Sequence, residues 1–145
     1  MFAEILRSLL APAPPRLADP DARLALAALL VRIARTDGLY AAEEVERIEK
    51  ILMTRNGLDA FEAAALRAQA EELEQQAPDT VRFTRALKAA VAVDDRAGLL
   101  EALWSVALAD GQRDASEDQQ MRLLANLLGL TDVESAQARQ RADRP

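Results

Sequence analysis

This chain of 145 residues contains no cysteine and no histidine. The first absence excludes disulfides, a thiolate nucleophile, and zinc or iron–sulfur sites held by sulfur. The second removes imidazole ligands, the Ser-His-Asp triad, and the one side chain that ordinarily titrates near neutrality. Any metal bound here has oxygen ligands alone, which selects Ca2+, Mg2+ or Mn2+ over softer ions. Aromatic residues make up only 3% while half the chain is hydrophobic, so Leu, Ala, Val and Ile must build the core. Lysine occurs only at positions 50 and 88, and the arginines are scattered among a larger number of acids. The net charge of −6 argues against nucleic acid, whose backbone demands a basic stripe, and against an anionic membrane surface.

What is abundant is helix-forming. Ala and Leu dominate, Glu, Gln and Arg punctuate them, and no stretch alternates with the period of a strand. The expected fold is all-α, one domain of seven to eight helices. Met1 to Leu10 is amphipathic, with Phe2, Ile5, Leu6, Leu9 and Leu10 on one face. Its length, together with Glu4 and Arg7, excludes a signal peptide or membrane span, so a cytoplasmic location is expected. The linker Ala11-Pro12-Ala13-Pro14-Pro15 separates it from the rest. The domain reading is therefore an N-terminal helix and Pro-rich linker over 1–18, a helical domain over 19–141, and a frayed tail over 142–145.

Within the domain, Asp19-Pro20 is expected to cap a helix reaching about Thr36, and Asn56-Gly57 to end a second one. Asp59-x-x-Glu62 and Thr131-x-x-Glu134 are capping-box signatures. Phe61, Leu66 and Leu73 are expected to anchor the helix over 59–76. Asp94-Asp95 is expected to cap the helix over 96–109, and Glu71, Glu72 and Glu74 to form a solvated face. Trp104 falls in an apolar helical stripe and reads as core.

One motif occurs twice. Thr36-Asp37-Gly38 is followed by Glu44, and Ala109-Asp110-Gly111 by Glu117, 73 positions further on. At that offset Leu30 falls on Leu103, Ile33 on Val106, Ile48 on Met121 and Ile51 on Leu124. Each half thus supplies a helical hairpin turning at Asp-Gly, and two hairpins facing one another bury both apolar stripes. The glycines suit a helix stop, and each Glu suits the third position of the next helix. The aspartates are less easily explained. Each sets a negative charge at the negative end of a helix dipole, which costs ~0.3–1 kcal/mol without a compensating cation. That cation is an arginine, with Arg35 near Asp37 and Arg113 near Asp110, or a metal held where the turns converge. An EF-hand is excluded, because its first acidic positions would be Ile33 and Arg35, or Val106 and Leu108.

An apolar helix ending in Asp-Gly, then a Glu opening a second amphipathic helix, present in both halves, resembles the TerB-like (tellurite-resistance protein B) family. The carrying residues are Asp37-Gly38…Glu44 and Trp104-x4-Ala109-Asp110-Gly111…Glu117…Leu128-Gly129-Leu130, within Leu24 to Leu130. The resemblance implies a TerB-like helical bundle with an internal pseudo-repeat and a divalent-metal site at Asp37, Glu44, Asp110 and Glu117. It further implies tellurite resistance or metal stress, a protein partner that is often membrane-associated, and no enzymatic activity. The first copy departs from the pattern, with Ala41 where a Ser or Asp cap is usual. The alternative is a helical interaction module whose Asp-Gly turns are purely structural, with Phe2, Ile5 and Leu9 docking a partner.

Overall fold

The computed structural model describes residues 21–36, 40–76, 80–109 and 115–143, with 115–117 by backbone alone. The first ten residues, the Pro-rich linker and Asp19-Pro20 lie outside that set. Seven helices fill the described residues: α1 (Ala22–Arg35), α2 (Ala42–Asn56), α3 (Ala60–Gln76), α4 (Val81–Ala90), α5 (Val93–Ala107), α6 (Ala115–Leu127) and α7 (Asp132–Ala142). The all-α expectation holds.

α1 is the central element. From Ala25 to Ala34 only Arg32 escapes burial, and a helix apolar all round can exist only inside others. Its small residues Ala25, Ala27, Ala28 and Ala34 are fully buried and let α3, α4 and α5 approach closely. Its N-cap is Asp21, whose Oδ1 accepts the Leu24 N–H at 2.9 Å. Phe83 and Leu87 of α4 close the core beside it. Trp104 is 5% exposed, as its place in the stripe requires, and its Nε1 donates to Ser135 Oγ on α7 at 3.3 Å.

The repeat is larger than a pair of hairpins. α1, α2 and α3 correspond in order to α5, α6 and α7, with α4 between the two sets. In each set the first helix packs most extensively against the third. The second helix of each set stops at a left-handed glycine, Gly57 at φ 64° and Gly129 at φ 80°. Beyond each glycine the next N–H reaches back five residues, Leu58 to the Met53 carbonyl at 3.2 Å and Leu130 to that of Ala125 at 2.8 Å. These are Schellman closures. The third helix then opens on a reciprocal capping box, at Asp59–Glu62 in one set and Thr131–Glu134 in the other.

Four local expectations need correcting. The N-cap of α1 is Asp21, not Asp19, so the helix starts two residues later than expected. Phe61 is 84% exposed and anchors nothing. The inward stripe of α3 runs through Ala63, Leu66, Ala70 and Leu73, and Phe61 sits half a turn away from it. Asp94 and Asp95 lie inside the first turn of α5, whose N-cap is Ala92. There they face the positive end of the helix dipole instead of capping it. Glu74 is not on a solvated face, because Arg32 and Arg35 of α1 both pair with it.

Candidate metal centre

Of the four acids singled out by the repeat, Glu44 is the one whose side chain is described. Asp37, Asp110 and the Glu117 side chain lie outside the described residues, as do Gly38, Gly111 and Arg113. Glu44 is 3% exposed, at the third position of α2. A carboxylate so deeply placed needs hydrogen-bond donors. One is local: Glu44 Oε1 accepts the Ala41 N–H at 3.1 Å. Ala41 has no side chain with which to return the favour, so half a capping box is made. A carboxylate offers about four lone-pair directions and so can take several partners at once.

The end of α1 meets α6. The Thr36 hydroxyl lies within hydrogen-bonding distance of both Gln120 Oε1 and the Arg32 carbonyl, the latter at 2.9 Å, and shares its one proton between them. Thr36 immediately precedes Asp37 in the chain, and Gln120 stands one helical turn beyond the backbone position of Glu117 in α6. The flanks of the first Asp-Gly turn and of the second motif are therefore in direct contact.

Around this contact lies a layer of charge that the sequence did not disclose. Glu74 receives Arg32 Nε at 3.2 Å and Arg35 Nη1 at 3.5 Å, with 13% of its side chain exposed. Arg32 also donates to the Glu74 carbonyl in the last turn of α3, and its guanidinium lies 5.4 Å from the Phe83 ring centre. Arg35 is stacked over Tyr40 at 5.4 Å. Arg35, the expected counter-cation of Asp37, thus has Glu74 as an ion-pair partner. Arg67, whose charge also acts on Tyr40, bridges Glu49 at 2.8 Å and Glu71 at 2.5 Å. Burial raises the Tyr40 pKa above 10.0, with the Glu71 charge adding to it and Arg67 and Arg35 opposing. Arg67 and Glu71 stand one helical turn apart at i, i+4, whereas the α1–α3 pairs join residues 42 and 39 apart and leave no sequence signal.

Among the described residues no three acids come together in a group able to hold a metal ion. No described helix is long and apolar enough to cross a membrane.

Compared with known protein families, residues 23–140 match the model of tellurite resistance protein TerB. No curated protein and no solved structure matches the chain. The matched stretch begins in the first turn of α1 and ends within α7, so it takes in both three-helix sets and the helix between them. The chain belongs to the tellurite resistance protein TerB family.

Proposed function

We propose that this protein is a non-enzymatic, cytoplasmic member of the TerB family that binds a hard divalent cation between its two Asp-Gly turns. Asp37, Glu44, Asp110 and Glu117 would supply the oxygens, and the bound ion would neutralise the charge at two helix C-termini. Its setting would be metal or tellurite stress, acting through a protein partner. The observation that carries this reading is the Thr36–Gln120 hydrogen bond, which ties the residue before Asp37 to the helix that bears Glu117. The buried carboxylate of Glu44 is chemically suited to the same ion. Ca2+, Mg2+ and Mn2+ all fit an oxygen-only set.

Calorimetric titration of metal-free protein with each ion tests the reading. Saturable heat is expected from the wild type and none from Asp37→Asn/Asp110→Asn. Equal heats from the two proteins would contradict it.

One observation favours the alternative of a helical interaction module with structural turns. The Glu44–Ala41 bond uses this acid as a helix cap, a role that requires no metal. Under that reading added ion would leave the thermal midpoint of each protein where it was.

A further inference from the structure

An acidic molecule that gathers unneutralised cations around a hollow has built a local field of the opposite sign. α2, α5 and α7 enclose a groove of about 370 Å³. Arg47, Lys50 and Arg55 reach it from α2 and Arg141 from α7. Glu101 is the only acid among the described residues that line it, and it is paired with Arg141 at 3.0 Å. Among the described residues, Arg47, Lys50 and Arg55 have no acid within ion-pairing distance. Glu43 and Glu46 stand one turn before Arg47 and Lys50 but do not line the groove. Asp94 and Asp95 share an adjoining hollow with Arg55 without pairing to it.

Three cations held together repel one another, and an anion seated among them relieves that repulsion. Ile51 and Ala102 give the groove apolar lining. The Thr54 hydroxyl lines the same space, whereas Ser105 Oγ already donates to the Ala102 carbonyl at 2.8 Å. We infer that this groove binds a small phosphorylated ligand, its phosphate held by Arg47, Lys50 and Arg55 and its organic body resting on Ile51 and Ala102. A phosphate brings a charge of about −1.5 to −2 and three acceptor oxygens, more than a single carboxylate can offer. Guanidinium groups engage such oxygens in pairs. The volume lies in the range of small-molecule sites, and walls rising from three helices suit a compact ligand better than a nucleic-acid track. No residue of this groove belongs to the Asp-Gly motif, so the inference stands apart from the metal reading.

Titration followed by amide NMR shifts tests it, with sodium pyrophosphate as probe and a hexaglutamate peptide as the competing anion. Pyrophosphate is expected to move the amides of residues 47–55, 98–105 and 141 in a saturable way. Arg47→Gln/Lys50→Gln should raise the apparent Kd about tenfold or more, whereas Arg85→Gln/Lys88→Gln, equal in charge but on α4, should change it less than about twofold. Both pairs are exposed, and Arg55→Gln provides an independent weakening should the first double variant lose helicity. Absence of saturation, equal weakening by the two double variants, or tighter binding of hexaglutamate than of pyrophosphate would overturn the inference.

Discussion

A carboxylate that is 3% exposed in the first turn of a helix has to satisfy its oxygens, and Glu44 begins with the N–H of Ala41. Glu44→Gln keeps an acceptor for that N–H and removes the charge, whereas Glu44→Ala removes both. We expect Glu44→Ala to lower stability by about 1 kcal/mol or more, with Glu44→Gln much closer to the wild type, as read by urea unfolding. A Gln variant as destabilised as the Ala variant would mean that the charge, and not the cap, is what the fold uses. Gly57 isolates a different cause. A Cβ there would touch nothing within 4 Å, so the cost of Gly57→Ala is the backbone alone, at φ 64°. That cost is about 1–2 kcal/mol, and Gly57→Asn should recover part of it, since Asn tolerates the left-handed region. Tyr40 is the sole tyrosine, so its ionisation can be followed by ultraviolet absorbance without interference. Its folded pKa is raised by burial above the ordinary 10.0, meaning that the folded state holds the proton more tightly than the unfolded one. The resulting stabilisation is fully present below pH 10 and is lost as pH climbs from there through the folded value. Tyr40→Phe should abolish this alkaline loss, and an unchanged profile between the two proteins would contradict the assignment.

Between elements, the decisive contacts are those that no local pattern could supply. Glu74 ties α3 to α1 through two arginines, and Glu74→Gln leaves both guanidinium groups short of a counter-charge in a largely buried place. A loss of about 1–3 kcal/mol is expected in urea unfolding, larger than for Glu72→Gln on the exposed side of the same helix. Equal small effects would show the pairs to be as weak as surface ones. The contrast explains what was legible in the sequence. Helix ends are local events, so the boxes at Asp59–Glu62 and Thr131–Glu134 and the glycine stops at 57 and 129 could be read before the fold was known. Phe61 could not, because its hydrophobicity says nothing about which face of α3 turns inward, and Ala63, Leu66, Ala70 and Leu73 occupy that face instead. Glu74 and the basic groove were invisible for a related reason: each is assembled from helices far apart in the chain.

At the scale of the whole molecule, the described residues form two copies of a three-helix unit around a shared core, with α4 inserted between them. The doubled Asp-Gly motif was legible in the sequence as a repeat, and the TerB family match over residues 23–140 spans both copies. Its chemistry depends on whether the two turns act as one site. Thr36 and Gln120 join the end of α1 to the helix that bears Glu117, and a single ion is proposed to draw on both turns. Mn2+ provides the most direct measurement, because its unpaired electrons broaden only the amide signals near the bound ion. At substoichiometric Mn2+, the amides of Thr36, Tyr40, Glu44 and Gln120 should broaden together and recover on addition of excess Mg2+. Broadening at one turn alone, or spread evenly over the acidic surface, would contradict a shared metal centre.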